Sequence, residues 1–550
     1  MATVMDTATA MAMTNRLPLL HPLALTLALA FISAAHAQQN VAGAIAAPAI
    51  GTPGSVSAGA PEQNTGRAWS FKPRIGVAMT ATDNVNIGGG NARGDSDLIT
   101  ELSPGIRIDA QTARLRGYFD YSLRGQFYAK SNGDRRQNAL NAFATLEAID
   151  DWFFVDVSGN ISQQAISAFG TQSPSDSTLN NNSTETATYR LSPYVRGQIG
   201  GLADYTVRYN ASTTRADATN ASDVDLGQWV AQLRGGTPFQ SLKWSVDGNR
   251  QTTDYSNGRK TDADLLRLLA TYLITPQFSI SASGGWERNN YASLDQESRS
   301  TYGYGFDWKP TPRTQVSAFK EDRFFGNGHR FSVSHRFPMS SIRYSDTRDV
   351  SVLNNQFANT VVDPNLALIQ SLVTQLCTLR SDPNASQSVI DACIAQALGP
   401  NFNSQVTSGF LSSQVSVQRQ QQLAFVLFGV RNSISLQLNR SENSSILAIS
   451  ARTDDFSQST VVRQQGISLN FSHRLSALSN LNASASRQES RGQNGGTNNQ
   501  KASTTLYTVS VSTKLGAKTT GSLSLRRSDF DSTTNPYTEN ALLGALNFTY

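Results

Sequence analysis

Three charged residues, Arg116, Asp120 and Arg124, recur at every fourth position of one stretch. At that spacing their side chains share one face of a β-strand. Along Leu115–Tyr128 the alternate positions Leu115, Gly117, Phe119, Tyr121, Leu123, Gly125 and Phe127 are apolar or small. One face of such a strand is greasy and the other ionic. The pattern is repeated down the chain. On the same alternation the polar face carries the cations Arg107, Arg116, Arg124, Arg190, Arg196, Arg208, Lys243, Arg330, Arg336, Arg343, Lys514 and Arg526. It carries the acids Glu101, Asp120, Asp156, Asp204, Asp247 and Asp307. Arginines and lysines around a low-dielectric wall focus a field that concentrates anions. The Ser, Thr, Asn and Gln residues between them can hydrogen-bond sugar hydroxyls. Two readings stand at this point. The cations line a pore selective for anionic solutes, or they pair with acids on neighbouring strands and stiffen the wall.

Catalytic spacing is scarce. His329, His335 and His473 are the histidines beyond the N-terminal segment, and none stands in a zinc-ligand spacing. There is no G-x-S-x-G and no phosphate-binding loop; Gly88-Gly89-Gly90 lacks the following Lys-Ser/Thr. His329 has Glu321 and Asp322 nearby, a hint of a rim hydrolase outweighed by scattered rim polarity. No catalytic residue, metal or cofactor is expected. The charge of +5 without a basic cluster argues against nucleic acid.

The elements that position these residues are strands too long for a soluble sandwich, whose strands run about five or six residues. A tilted strand crosses a bilayer in about nine to eleven. Strand signals recur from Trp69 to Tyr550, about 22 in all with 18 to 24 possible, and the expected fold is a transmembrane antiparallel β-barrel. Hydrophobic residues make up 39% and mean hydropathy is negative, which excludes packed transmembrane helices. Evenly spaced aromatics fit disorder poorly. Asp150-Asp151, Gly200-Gly201, Thr275-Pro276, Pro310-Thr311-Pro312 and Pro338-Met339-Ser340 mark short turns. Longer polar loops, such as Ile87–Ser96 and Ala165–Ser183, alternate with them, as short periplasmic turns alternate with extracellular loops. Trp69, Phe71, Trp152, Phe153, Trp244, Tyr272, Phe278, Trp286 and Trp308 fall near strand ends, as an interfacial aromatic girdle requires. The last strand carries Leu542, Leu546, Phe548 and Tyr550 on one face, the terminal pattern that barrel-assembly machinery reads.

Residues 1–37 read as a signal peptide: Arg16, an apolar run from Leu17 to Ala35, and Ala35-His36-Ala37, with cleavage between Ala37 and Gln38. An N-terminal anchor is the alternative. Residues 38–68 are rich in Ala, Gly, Pro and Ser and read as a flexible periplasmic segment. Within the barrel, residues 351–414 break the alternation. Asp363-Pro364 and Asp382-Pro383 each open a helical pattern, so this insertion forms a small helical pair in an extracellular loop or folded into the lumen. It holds Cys377 and Cys393, which either pair as a disulfide, as cysteines beyond the inner membrane usually do, or remain two buried thiols. A regular hairpin would not align them without an offset.

Several short motifs, in order, carry a resemblance. They are Thr82-Asp83-Asn84-Val85, Leu102-Ser103-Pro104-Gly105-Ile106, Asp151-Trp152-Phe153-Phe154-Val155-Asp156, Leu191-Ser192-Pro193-Tyr194, Gly285-Trp286-Glu287 and Arg323-Phe324-Phe325-Gly326-Asn327. Over Trp69–Tyr550 the chain resembles the outer-membrane barrels associated with the PEP-CTERM exosortase and exopolysaccharide system of Gram-negative bacteria. The strand pattern leads to the expectation of an outer-membrane location with lipid and barrel-assembly machinery as partners. The resemblance implies genes neighbouring an exopolysaccharide locus and a role in polymer export or surface assembly, with exopolysaccharide and its export components as further partners. It implies no catalytic residues. A passive conduit for polysaccharide or small anionic solutes is the leading expectation. A structural or adhesive surface barrel that binds polymer or proteins through its loops is the alternative.

Overall fold

The computed structural model describes residues 68–550 apart from 88–93, 132, 220, 240, 353–409, 447–453, 494–499 and 534. The expected cleavage site at Ala37 and Gln38, the segment 38–67, most of the insertion, and both Cys377 and Cys393 lie outside the described residues.

Twenty-two strands form one sheet. They are β1 (Trp69–Thr82), β2 (Asp97–Gln111), β3 (Leu115–Tyr128), β4 (Arg135–Ile149), β5 (Phe153–Ala165), β6 (Ser183–Ile199), β7 (Ala203–Ala216) and β8 (Val224–Gly236). Then come β9 (Leu242–Tyr255), β10 (Thr261–Thr275), β11 (Phe278–Asn289), β12 (Glu297–Thr311), β13 (Thr314–Arg323), β14 (Gly326–Arg336) and β15 (Ser340–Ser351). The series ends with β16 (Ser416–Phe428), β17 (Asn432–Ser445), β18 (Val461–Arg474), β19 (Ser479–Gln493), β20 (Lys501–Lys514), β21 (Thr519–Ser532) and β22 (Tyr537–Thr549). Each strand pairs antiparallel with its sequence neighbours, and β1 pairs with β22, from Arg74 opposite Thr549 to Thr82 opposite Ala541. Closure leaves no unpaired edge, which is the condition for strands to survive in lipid.

Directly opposite residues in an antiparallel pair share a face. The register therefore carries one face assignment round the whole ring. On the outer face stand exposed apolar side chains: Leu266 and Leu268 on β10, each 53% exposed, and Leu523 and Leu525 on β21, 58% and 61%. Such an exposed apolar surface fits a bilayer and would be an aggregation hazard in water. The inner face is polar.

Short turns close one end. At Ile199–Leu202, Gly200 and Gly201 both take positive φ, 52° and 72°, and the Leu202 N–H donates to the Ile199 carbonyl at 2.8 Å. Two positive φ values match the right-handed strand twist of a two-residue hairpin, and glycine alone adopts them freely. Trp69, Phe71, Trp152, Tyr272 and Trp308 lie outward and exposed at this end. Trp286 departs from the expected girdle: it sits near the long-loop end of β11. The first residue of β1 and the last of β22 lie at the short-turn end, which is the periplasmic end of a bacterial barrel.

Candidate functional site

The register places all the sequence-identified charges on the inner face. Arg107 stands opposite Asp120, Arg208 opposite Tyr194, Lys243 opposite Gly236, Arg343 opposite Ser334 and Arg526 opposite Ala541. What they do there divides them into two groups.

One group is held in ion pairs. Arg74 makes two contacts to Asp120, and Arg107 lies 2.9 Å from Asp109 and 3.7 Å from Asp120. Arg208 binds Asp156 at 2.7 Å and lies over the Tyr194 ring at 4.0 Å. Arg267 lies 3.4 Å from Asp247 and 3.5 Å from Glu321. Arg323 bridges Glu287 at 2.8 Å and Asp349 at 3.2 Å, and Arg330 shares Asp349. Arg526 meets Glu539 at 2.9 Å, where both side chains are buried and Thr82 donates a further hydrogen bond. The residues Arg74, Arg267, Glu287, Arg323, Asp349 and Glu539 were not among those the alternation singled out. Arg267 is masked by its surroundings: Leu265, Leu266, Leu268 and Leu269 put apolar residues on both faces, which blurs the period of two.

The second group consists of Arg116, Arg190, Arg196, Lys243, Arg336, Arg343 and Lys514, none of which has a carboxylate within ion-pair distance among the described residues. Arg196 lies 4.2 Å from the Phe154 ring instead. All but Arg190 fall within three residues of a strand end that carries a short turn. Lys72 and Arg234 share that face and that end. Of the inward carboxylates there (Asp109, Glu147, Asp156, Asp204 and Asp307), Asp109 and Asp156 are already held by Arg107 and Arg208. The periplasmic end of the lumen therefore carries surplus positive charge.

A third part of the wall is neutral. On β16 to β20 the inward positions are mostly Ser, Thr, Asn, Gln, Gly and Ala, with Val426, Phe428, Val462 and Leu506 among them and Arg474 and Lys514 the inward charges among the described residues. Gln437, Asn439, Gln464, Ser468, Asn482 and Thr508 each have a buried polar atom without a protein partner. A buried polar atom left unpaired costs about 1–3 kcal/mol.

The far mouth is spanned by chain. The β5–β6 loop, residues 166–182, accepts hydrogen bonds from the Tyr128 hydroxyl at the Ser177 carbonyl, 2.7 Å, and from the Gln137 amide at the Asp176 carbonyl, 3.0 Å. Arg124 pairs with Asp176, and Leu179 N–H donates to the Val85 carbonyl at 2.8 Å. The same loop reaches the other side. Ser167 Oγ and Ala168 N–H both donate to Asp455, at 2.5 and 2.7 Å, in a one-turn 3-10 helix, Asp455–Ser457, between β17 and β18. The Leu411 N–H donates to the Ile166 carbonyl. Strands β5 and β17 are nearly diametric in a ring of 22, so these contacts cross the opening. Phe169, Phe410, Phe456 and Val462 form one buried cluster beneath them, and Leu411 and Val415 join Val224, Tyr255 and Tyr291 in another. Burial pushes the Asp455 carboxyl up to about 6, outweighing the Ser167 and Ala168 hydrogen bonds that favour its charge.

The histidine hint is corrected in its partner. His329 faces outward opposite Lys320, and its Nε2 lies 3.0 Å from Asp346, whose carboxylate Arg419 also holds. Glu321 faces inward to Arg267 and Asp322 pairs with Arg299.

A closed 22-stranded barrel with an apolar exterior, a charged and polar interior and short turns at one end is an outer-membrane β-barrel. No protein-family model matches the chain, and no curated protein does. Solved structures similar to it include the siderophore receptor PirA from Acinetobacter baumannii, at 6% identity and a TM-score of 0.47, covering 87% of this chain and 80% of that one. The FrpB iron transporter from Neisseria meningitidis (F3-3 variant) is similar at 9% identity and a TM-score of 0.46, covering 86% and 81%. PirA from Pseudomonas aeruginosa is similar at 9% identity and a TM-score of 0.41, covering 86% and 80%. These similarities say nothing of what this barrel carries.

Proposed function

We propose that the protein is a passive outer-membrane conduit for an acidic polysaccharide or small anionic solutes, in an exopolysaccharide setting of the PEP-CTERM type. The observation that carries this reading is the division of the lumen wall. Unpaired cations ring the periplasmic entrance, where an anionic polymer arrives. Above them, half-buried inward residues of the neutral wall, Gln418, Gln420, Asn470, Ser484 and Ser486, offer amides and hydroxyls that match sugar hydroxyls. The ring concentrates anions, and the neutral wall holds a saccharide without a deep charge trap, which lets it leave again. No cofactor enters: movement follows a gradient or a push from machinery elsewhere.

Planar-bilayer recording tests it. A variant lacking residues 168–181 is expected to conduct with anion preference and to be blocked by oligouronates more strongly than by neutral oligosaccharides. Cation preference, or no conductance in either the full chain or the loop deletion, overturns the reading.

The packed mouth favours a second reading. A barrel closed by its own loops is also a rigid platform, and a structural or adhesive role needs no open lumen. Polymer release from a deletion strain separates the two: normal release with altered surface retention supports the platform.

A further inference from the structure

The outer face of β15 to β19 carries charge where a transmembrane barrel is expected to be apolar. The register stacks these residues in tiers. In the lowest, Tyr344, Leu423, Leu438 and Ile467 stand side by side and Arg487 ends the row. Above it run Asp346, Gln421, Arg440, Gln465 and Glu489. Above that run Arg348, Arg419, Glu442, Arg463 and Arg491. Across the outer face of these five strands six arginines stand against three carboxylates.

The carboxylates are fully engaged. Asp346 takes His329, Gln421 and Arg419, the last at 2.6 Å; Glu442 takes Arg463 at 2.6 Å; Glu489 takes Arg491. Arg440 approaches Glu442 only at 3.9 Å and Arg487 has no carboxylate within ion-pair distance among the described residues; both are exposed. Between the two lower tiers lies a recess of about 520 Å³. Its floor includes Leu423, Leu438 and Ile467, and its rim includes Arg440, Gln465 and Arg487.

The height of this patch is set by strand length. The arginines lie eight or more residues from the short-turn ends of their strands. At a rise of about 3.3 Å per residue and a tilt of about 40°, eight residues climb about 20 Å. The apolar band of such barrels is about 25 Å tall. The recess thus lies in the upper part of the acyl region, and Arg440 and Arg487 stand just below its border, where long arginine stems reach up to carry their guanidinium groups to the outer-leaflet headgroups. The sector of β9 to β11 differs. Outward Arg250 and Arg288 there face Asp264, with Asp254 and Asp262 on the same face, so that sector has no surplus of positive charge.

We propose that this patch is a binding site for a phosphorylated glycolipid of the outer leaflet, with an acyl chain on Leu423, Leu438 and Ile467 and a headgroup phosphate on Arg440 and Arg487. Guanidinium groups match phosphate oxygens in bidentate geometry, and the apolar floor continues directly into the lipid-facing belt. The site lies outside the lumen and does not depend on what the lumen carries.

Native mass spectrometry of the full chain, released from detergent and titrated with bisphosphorylated lipid A, tests this. The expected result is a saturable adduct that the dephosphorylated glycolipid forms at least about tenfold more weakly. The double variant Arg440→Gln/Arg487→Gln should lose about tenfold in affinity for the bisphosphorylated lipid and bind the dephosphorylated one as before. Arg250→Gln/Arg288→Gln on β9 and β11 should change neither. Heat-modifiable gel migration establishes that each variant is a folded barrel. Equal binding of the two glycolipids by the unaltered protein, or undiminished phosphate preference in the Arg440/Arg487 variant, overturns the proposal.

Discussion

Two sectors of the same wall solve the problem of a polar interior differently. From β21 through β1 to β15 the inner face is ionic, and acids and arginines lock to each other across strands. From β16 to β20 the inner face is neutral and the ionic ladder has moved outside. The backbone is the same antiparallel ladder in both. The difference teaches that strand register, and not residue type, decides whether an arginine stiffens a pore, binds a solute or meets a headgroup.

The largest expected effect concerns the cation ring. Reversing it with Arg116→Glu, Lys243→Glu, Arg336→Glu and Lys514→Glu should invert anion over cation preference in a loop-deleted channel, measured as reversal potential under a salt gradient. Removing Gln420 and Asn470 side chains from the neutral sector should leave that preference unchanged and weaken block by oligosaccharide. If both sets shift selectivity alike, the division of the wall has no functional meaning.

Stability should divide the same way. Glu287→Ala strips Arg323 of its closest carboxylate in a buried setting and should cost about 3 kcal/mol in denaturant unfolding. Ser468→Ala in the neutral sector deletes a buried hydroxyl that has no partner and should leave stability unchanged or raise it by up to about 1 kcal/mol. Equal costs would show that the ion pairs do not hold the ionic sector together.

The mouth joins the two sectors through Asp455. Its carboxyl is raised by burial to about 6, whereas an unperturbed Asp titrates near 4. Between those values the docked loop holds more protons than the released one, so docking is strongest below about pH 4 and loses about 2–3 kcal/mol as pH rises through 6. Loop closure, followed by hydrogen exchange of residues 166–182, should weaken across pH 4 to 6 and stay level above. An Asp455→Asn variant should lose that slope. A smaller effect on the same loop is expected of Tyr537→Phe, which deletes the hydrogen bond to the Gln172 carbonyl and should loosen it by about 1 kcal/mol.

Much of this was legible in the chain. The period of two is enforced by pleat geometry, and a barrel in lipid must obey it on nearly every strand, so strand number, sidedness and the charges of Arg116, Asp120 and Arg124 follow from local pattern. Asp455 could not be found this way. It sits on one turn of 3-10 helix, its partners Ser167 and Ala168 lie almost three hundred residues away, and no spacing rule connects them. Arg267 was hidden by leucines on both faces.

By itself the sequence determined an antiparallel barrel of about 22 strands with a wet interior and a greasy exterior, because side-chain alternation is a property of each strand alone. Only the tertiary structure decided which cations stay unpaired, which loops cross the mouth, and where the outer wall turns from lipid tail to headgroup. Those depend on which strand lies beside which and at what height, and that is fixed by closure of the whole ring.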